Sequence, residues 1–271
     1  MFKKAFVLAI TLVMVLAIAD PAQAITFGQP DTDNIYPYVG TLLFTFDGAN
    51  YYSCTGTLLS STVMLTAGHC TEEAGQANLH TWVNFDQEIS FENRSNYPSL
   101  LAFLNMEWIP AVATPHPMYD DCNQWPDTYD VGIVTLSEPV TLSTYGQLAD
   151  LNFLESVPKG KKQNSFTVVG YGMQGVINPF YSDIWARYYG TVKLIELNSA
   201  WTGNDASAKF TNNPGTGGGT CYGDSGGPTF YQNTNIVVAV TSWGHTPCIG
   251  VDFEYRVDTA TAQDFVNPYL P

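Results

Sequence analysis

Residues 223–228 read Gly-Asp-Ser-Gly-Gly-Pro. This stretch and two shorter segments that precede it in the chain are the most informative parts of the sequence. The first of these, residues 66–70, reads Thr-Ala-Gly-His-Cys. The second, residues 129–134, reads Tyr-Asp-Val-Gly-Ile-Val. In chain order the three segments supply an imidazole, a carboxylate and a hydroxyl, each set in an extended local pattern.

These three groups suit catalysis by a nucleophilic hydroxyl. Such a hydroxyl needs a base that removes its proton, and the base needs an anion that fixes its tautomer. Ser225, His69 and Asp130 are candidates for the three roles. Each alone is weak evidence, because an isolated His is usually structural, an Asp can simply open a strand, and Ser is common among glycines. Together the three patterns indicate a catalytic serine.

Short β-strand patterns run through most of the chain. Runs rich in Val, Ile, Thr, Tyr and Phe alternate with clusters of Gly, Pro, Asn and Asp. One helix is predicted near the C-terminus, with Asp258 as its N-cap and Pro268 limiting its length. Many short strands with frequent turns favour a sandwich or a barrel. The strands are predicted at residues 38–46, 62–66, 131–136, 166–169 and 236–242.

The three segments resemble those of the chymotrypsin/trypsin family of serine proteases, and their order His, Asp, Ser agrees with that family. Val169-Gly170-Tyr171-Gly172 and Ser242-Trp243-Gly244 resemble further family segments beside the active site and along the substrate channel. The resemblance extends from Ile25 to about Val257. It implies an all-β fold of two packed antiparallel β-barrels with a short C-terminal helix, and an active site in the cleft between the barrels.

The N-terminus has the pattern of a signal peptide. Lys3 and Lys4 precede an apolar run at residues 5–19 that is short for a membrane span, and Ala22-Gln23-Ala24 matches a small-x-small cleavage site. The alternative is an uncleaved membrane anchor. We predict a signal peptide at 1–24, an N-terminal β-barrel at 25–148 and a C-terminal β-barrel at 149–271. The protein is therefore expected to be secreted, to the extracellular space or the periplasm.

The resemblance implies a role for each residue of the site. Ser225 is the nucleophile, His69 is the general base, and Asp130 orients His69. The backbone N–H groups of Gly223 and Ser225 form the oxyanion hole. Ser242 is expected to add a hydrogen bond to Asp130.

The resemblance also implies where the substrate pocket lies, and here the sequence departs from trypsin-like relatives. Those relatives carry an Asp six positions before the nucleophile, where this chain has Gly219. Asp252 matches a pocket-floor position, and relatives with an acid there, such as crustacean collagenolytic proteases, accept a wider range of side chains. The alternative is that Asp252 is an exposed loop acid. The residues expected to form a pocket for basic and large apolar side chains are Gly219, Thr220, Ser242, Trp243, Gly244 and Asp252.

Activation by a new N-terminus is a further implied feature. In the family the ammonium of the new first residue, often the Ile of Ile-Val, pairs with the aspartate just before the nucleophile. Residues 25–28 read Ile-Thr-Phe-Gly and resemble this start, with Thr in place of Val, and the aspartate is Asp224. Cleavage before Ile25 would then both release and activate the enzyme. The alternative is a short pro-segment removed elsewhere.

Five cysteines leave at least one without a partner inside the chain. The resemblance pairs Cys54 with Cys70 and Cys221 with Cys248. Cys122 is then left over, either as a thiol without a role or in an intermolecular disulfide. None of the spacings resembles a zinc site with Cys-x-x-Cys ligands, and we expect neither a metal nor a cofactor.

The formal net charge is −15 over 271 residues. A chain this acidic repels nucleic acids and anionic membranes, so neither is expected as a partner. The acidity itself is explained either by solubility or by attraction of basic substrates. The expected partners are protein or peptide substrates, with protein inhibitors left open as a second class, and the chain is expected to be a monomer.

Two other functions compete with a serine endopeptidase. Residues 223–227 also fit the G-x-S-x-G nucleophile elbow of α/β-hydrolases, which would make the chain a secreted esterase. That fold needs alternating strands and helices and a catalytic His after the Ser, where this chain offers only His245. The other competitor is a non-catalytic binding protein on the protease fold. The intact Ser, His and Asp favour the endopeptidase over both.

Overall fold

The computed structural model describes residues 25–73, 76–121, 123–157, 164–176, 182–203 and 206–271. The predicted signal peptide and Cys122 lie outside the described residues. Within the described part of the chain, every helix falls short of the length and apolar character that spanning a bilayer requires.

The described residues form many short strands separated by turns, as the alternation of β-branched and aromatic residues with turn residues predicts. In chain order these strands are β1 (Gln29–Pro30), β2 (Val39–Thr45), β3 (Tyr52–Leu58), β4 (Val63–Thr66), β5 (Glu72–Glu73), β6 (Gln76–Ala77), β7 (His80–Asn84), β8 (Ile109–Pro115), β9 (Gly132–Leu136), β10 (Gln147–Leu148), β11 (Phe166–Gly170), β12 (Tyr188–Val192), β13 (Leu194–Glu196), β14 (Ser207–Asn212), β15 (Pro228–Tyr231), β16 (Ile236–Gly244) and β17 (Gly250–Arg256). The five strands predicted from sequence are confirmed as β2, β4, β9, β11 and β16.

Short helices interrupt the strands. In the described residues the α-helices are α1 (Leu100–Glu107), α2 (Phe153–Ser156) and α3 (Ala260–Val266). The 3-10 helices are Gly68–Cys70, Glu92–Asn96, Ala200–Thr202, Pro214–Thr216 and Asn267–Tyr269. Helix α1 is absent from the sequence-based predictions, and its start is marked by Ser99, whose side chain accepts a hydrogen bond from the N–H of Ala102.

Helix α3 is the predicted C-terminal helix, and Pro268 lies in the 3-10 helix that follows it. Its predicted N-cap is wrong, because Thr259 and not Asp258 accepts the hydrogen bond from the N–H of Ala262. The carboxylate of Asp258 is engaged elsewhere, accepting from Nε of Arg256 at 2.8 Å. A side chain held in that contact cannot also turn toward the start of the helix.

The first sheet is a closed barrel of six antiparallel strands in the order β2-β3-β4-β9-β8-β7, with β7 pairing back to β2. Every residue of β2 is buried, because this strand packs on the barrel core. Strands β4 and β9 are neighbours, and Thr66 lies opposite Gly132 in their register. The segment that follows β4 therefore meets the segment that precedes β9.

The second sheet follows the order β1-β12-β11-β15-β16-β17-β14-β13, with β10 added beside β16. Its strand path does not close in the described residues, so this half of the fold is a curled half-barrel. The predicted all-β chymotrypsin-like fold is confirmed, with one barrel closed and the other open. Only the two-residue pairing of β10 with β16 is parallel among the described strands, so the central parallel sheet of an α/β-hydrolase is excluded.

The domain boundary predicted between residues 148 and 149 stays a prediction. The strands of the closed barrel lie between residues 39 and 136. Strand β10 already pairs with the second sheet, at residues 147 and 148. Strand β1 pairs with β12, so the N-terminal segment also lies against the second sheet, although it precedes the closed barrel in the chain.

Candidate active site

His69 and Asp130 are brought together by the pairing of β4 with β9. His69 lies in the 3-10 helix after β4, and Asp130 lies two residues before β9. The backbone N–H of His69 donates to Oδ1 of Asp130 at 2.9 Å, and Nδ1 of the ring lies 3.0 Å from Oδ2. Because a carboxylate only accepts, Nδ1 carries the proton, and in the neutral imidazole the lone pair is therefore on Nε2. The imidazole is thereby set up as a base.

Asp130 is fully buried and has a second residue as hydrogen-bond partner. The hydroxyl of Ser242, on β16 of the second sheet, donates to its Oδ2, as predicted. Burial by itself raises the pKa of Asp130, but the charge and hydrogen bonds of His69 together with the Ser242 hydroxyl outweigh burial and lower it. The carboxylate is therefore ionised at neutral pH and holds the His69 ring in place.

Ser225 lies in the loop just before β15, and the closed barrel holds this loop from the other side. In strand β3, the N–H of Thr55 donates to the carbonyl oxygen of Ser225 at 2.8 Å, and its hydroxyl donates to the carbonyl oxygen of Gly223 at 2.9 Å. The site therefore lies between the two sheets. His69 and Asp130 come from the closed barrel, and Ser225 comes from the half-barrel.

Gly223 has the backbone conformation that the loop requires. Its φ is +96°, in the region that favours glycine. Within the described residues, the N–H groups of Gly223 and Ser225 donate to no other group, whereas those of their neighbours Asp224 and Gly226 donate to Cys221 and Thr241. The two predicted oxyanion donors are thus available to a ligand.

A cavity of about 250 Å³ opens beside Ser225. Five of the six residues predicted for the substrate pocket line it, namely Thr220, Ser242, Trp243, Gly244 and Asp252. Cys221 and Cys248, which the resemblance places at the pocket walls, also line it. The other lining residues, which sequence reasoning did not single out for the pocket, are Tyr222, Thr241, His245 and Thr246. The pocket and the nucleophile therefore belong to one site.

Asp252 lies on β17 and is 1% exposed, so the alternative of an exposed loop acid is wrong. Its carboxylate accepts from Nδ2 of Asn212 at 2.7 and 2.8 Å. It also accepts from the N–H of Thr220 at 2.7 Å and from the Thr220 hydroxyl at 2.8 Å. Burial raises the pKa of Asp252 to about 6, although these donors oppose the rise. Asp252 is thus a fixed carboxylate in the pocket wall, largely ionised at neutral pH.

Gly219 was predicted to line the pocket and does not do so. A side chain at this position would overlap Asn212, since an ideal Cβ on Gly219 would lie 2.2 Å from Cγ of that residue. The Asn212 amide therefore fills the place where trypsin-like relatives carry their pocket acid. Asn212 is in turn oriented by Thr26, whose hydroxyl donates to its Oδ1 at 2.9 Å.

Asn212 helps to fix the Asp252 carboxylate in the pocket wall, and sequence reasoning missed this role. It ends strand β14 and belongs to no catalytic motif, so its sequence context carries no signal. Its role follows only from the fold, because β14 pairs with β17 and places Asn212 next to the Asp252 carboxylate.

Ile25 and Asp224 are both fully buried. Ile25 packs in the hydrophobic cluster of the second sheet, and in the full chain it follows Ala24 through a peptide bond and carries no ammonium. The carboxylate of Asp224 accepts from the N–H groups of Gly172 and Cys221, both at 2.8 Å. Burial raises the pKa of Asp224 to about 7. The ion pair between the two residues stays a prediction for the cleaved chain.

Both predicted disulfides are present. Cys54 is bonded to Cys70, and Cys221 is bonded to Cys248. The first fastens β3 to the 3-10 helix that carries His69, and the second fastens the nucleophile loop to the opposite wall of the pocket. The sulfurs of Cys54 and Cys70 lie near His69, but as disulfide sulfurs they are not thiolate ligands for a metal.

Comparison with known proteins finds a matching family model, similar sequences and a similar fold. The family model described as Trypsin matches residues 25–265. A chymotrypsin of Phaedon cochleariae is 25% identical over 230 residues, covering 84% of this chain and 76% of that protein. A trypsin of Saccharopolyspora erythraea is 29% identical over 209 residues, covering 74% of this chain and 79% of that protein. The solved structure of HL collagenase aligns with a TM-score of 0.65 at 19% identity, over 91% of this chain and 99% of that one.

Proposed function

The chain belongs to the trypsin family of serine proteases, and from that membership we propose that it is a secreted serine endopeptidase with Ser225, His69 and Asp130 as its catalytic triad. The observation that carries the proposal is the hydrogen-bonded series from Ser242 through Asp130 to His69, beside a cavity lined by Ser225. A binding protein without activity has no need of an oriented imidazole next to a pocket.

In the proposed reaction, Oγ of Ser225 attacks the carbonyl carbon of the scissile peptide bond, and Nε2 of His69 accepts its proton. The C–N bond then breaks, the leaving amine takes that proton, and the substrate remains as an ester on Ser225. A water molecule, deprotonated by His69, attacks the ester carbon. The bond from that carbon to Oγ then breaks, His69 returns the proton to Oγ of Ser225, and the carboxylic acid product leaves. Asp130 stabilises the imidazolium at each stage.

The N–H groups of Gly223 and Ser225 stabilise the oxyanion of each tetrahedral intermediate. Donors that are already oriented are worth more to the transition state than to the ground state, because the negative charge on the oxygen grows between the two. The left-handed backbone at Gly223 supports this assignment.

Export of the protein is proposed on the signal-peptide pattern at residues 1–24. The two disulfides support it, because such bonds persist in oxidising compartments. The proposed partners are protein or peptide substrates, with protein inhibitors as a second class, and the proposed state in solution is a monomer.

The pocket is proposed to accept basic side chains as well as large apolar ones. Gly244 has no side chain, so this part of the pocket wall leaves room for large substrate side chains. The Asp252 carboxylate supplies negative charge inside an otherwise partly apolar cavity. A charge-assisted hydrogen bond between a cation and this carboxylate would favour arginine and lysine before the cleaved bond.

Replacing Asp252 by serine should therefore lower cleavage after Arg and Lys selectively. We expect kcat/KM for these substrates to fall by about tenfold or more, the loss of one hydrogen bond to a charged group. Substrates with Leu or Phe before the cleaved bond should keep most of their activity. The measurement is a chromogenic peptide panel that varies this residue.

The matched control is Asp33→Ser, which removes an exposed acid outside the pocket lining. If Asp252→Ser lowered cleavage of every substrate equally, or of none, Asp252 would have no part in substrate choice. Competition between amide and ester substrates on the unmodified enzyme separates a peptidase from an esterase in the same assay series.

A further inference from the structure

A second buried acid, Glu254, lies next to the Asp252 position and has no part in the proposed reaction. Glu254 has no exposed surface, and neither oxygen of its carboxyl group has a partner within hydrogen-bonding geometry among the described residues. Burying a carboxyl without such partners is costly, so native proteins rarely keep one that serves no purpose. A ligand that interacts with the Glu254 carboxyl group would compensate for this cost.

The strand geometry places Glu254 on the same face of β17 as Asp252 and behind the pocket wall, since Asp252 lines the cavity and Glu254 does not. Successive side chains of a strand alternate between its two faces, so Glu254 shares a face with Asp252, two residues earlier. Its register partner on β16 is Thr241, which also lines the pocket. Phe253, between the two acids, turns to the other face and stacks on Trp243 with ring centres 3.8 Å apart.

The two acids differ in how their oxygens are satisfied. Asp252 already accepts four hydrogen bonds, from Asn212 and Thr220. Neither oxygen of Glu254 has a partner within hydrogen-bonding geometry, although the nearby Thr241 hydroxyl acts as a donor that lowers the pKa of Glu254. Of the two carboxyls, the one with free acceptor capacity is therefore the deeper one.

The charges around Glu254 are negative. Burial raises the pKa of Glu254 well above its usual value, and the nearby carboxylates of Asp252 and Asp224 raise it further. The charge of the nearby His245 lowers the pKa of Asp252. On β14, the residue opposite Glu254 is Ala208.

None of the ion pairs that lysine and arginine make in the described residues involves this cluster of three acids. The ion pairs of the described residues involve other carboxylates. Lys209, also on β14, lies over the ring of Phe253 at 5.8 Å from its centroid, on the opposite face of the strand. The proposed N-terminal ammonium would balance Asp224, which leaves Asp252 in the pocket wall and Glu254 behind it without a lysine or arginine ion pair among the described residues.

We propose that Glu254 is a specificity-determining residue, which together with Asp252 receives the cationic end of an arginine or lysine side chain of the substrate. This inference rests on the proposed function. Asp252 contacts the cation from the pocket wall, and Glu254 supplies a second carboxylate from behind that wall. When the cation binds, Glu254 gives up its proton and becomes the second carboxylate of the site.

The test compares Glu254→Gln with the unmodified enzyme in two measurements. The first is kcat/KM for peptides with Arg, Lys, Leu or Phe before the cleaved bond. The Gln variant should lose about tenfold or more on Arg and Lys, while Leu and Phe should change by no more than about twofold. The control is Glu138→Gln, an exposed acid after β9, which should leave all four substrates within about twofold.

The second measurement is proton release when benzamidine, a cationic amidine, binds slightly above neutral pH. Calorimetry in two buffers of different ionisation enthalpy gives the number of protons exchanged. The unmodified enzyme should release a proton and Glu254→Gln should release less, because a carboxyl that binds a cation loses its proton. A merely structural Glu254 would leave this exchange unchanged.

Equal loss on all four substrates, or no change in the ratio of Arg to Leu cleavage, would overturn the proposal. If Glu254→Gln does not fold, the calorimetric measurement on the unmodified enzyme still tests the proposal. Benzamidine binding without proton release would overturn the proposal as well. An enzyme that cleaves no peptide at all contradicts the proposed endopeptidase, whereas the benzamidine measurement still tests Glu254. The two failures are therefore distinguishable.

Discussion

Replacing Ser225 by alanine is expected to reduce peptide hydrolysis by about 10⁴-fold or more, because the nucleophile of the acyl-enzyme pathway is removed. The fold should survive the change. The described contact that fixes this residue is made by its backbone, since its carbonyl oxygen accepts from Thr55, and alanine keeps that contact. The two oxyanion donors are also backbone groups and remain in place. Turnover is measured with the best peptide of the substrate panel.

The matched control is Ser137→Ala, which removes an exposed hydroxyl just after β9. It should retain full activity and the same melting temperature as the unmodified enzyme. Undiminished hydrolysis by a Ser225→Ala preparation free of unmodified enzyme would refute the proposed nucleophile.

Blocking the cleavage before Ile25 is expected to have the next largest effect. An enzyme that keeps additional residues ahead of Ile25 should show almost no activity, and secreted active enzyme should begin Ile-Thr-Phe-Gly. The reason lies at Asp224, whose fully buried carboxylate has two backbone donors and no cation among the described residues. An ammonium at Ile25 would supply that cation next to the nucleophile.

The electrostatics of Asp224 make this pairing favourable. Burial raises the pKa of Asp224 to about 7, so ionising it without a partner costs free energy. An α-amino group has an ordinary pKa of about 8, and an ion pair with Asp224 should raise it in the folded enzyme. A group whose pKa is raised on folding stabilises the protein fully below its unfolded pKa. That stabilisation is lost as pH rises through the folded pKa, so activity should decline in alkali as the active conformation is lost.

N-terminal sequencing of active enzyme, together with a variant whose cleavage site is blocked, checks this prediction. The control is Asp33→Ser, an exposed position beyond the cleavage site, which should mature and act normally because the signal-peptide pattern and Ile25 are intact. Full activity in a form that retains residues before Ile25 would rule out activation by this N-terminus.

The contacts among His69, Asp130 and Ser242 could be predicted from the sequence because contiguous motifs carry these residues. The His69 and Asp130 segments flank β4 and β9, two strands recognisable from their apolar runs, and their pairing brings the two side chains together. The hydrogen bond from Ser242 followed in the same way, since a recognisable segment carries it.

The pocket was harder to predict because its residues meet only through strand register. Gly219 was assigned to the pocket by counting back from Ser225, but the amide of Asn212, from another strand, fills that place. The donors that fix Asp252 likewise come from two separate segments. Local pattern also failed to distinguish Asp258 from Thr259 as the N-cap of α3, since both residue types cap helices and the contact with Arg256 decides between them.

The most direct test of the proposed catalytic triad is covalent labelling of the secreted enzyme with a fluorophosphonate, followed by peptide mapping of the adduct. The reagent phosphonylates a serine hydroxyl that an adjacent base activates, and it therefore reads out nucleophile, base and oxyanion donors at once. We predict one adduct, on Ser225, formed in step with loss of peptidase activity. A folded, secreted protein that takes up no label, or takes it up on a different serine, would contradict the triad of Ser225, His69 and Asp130.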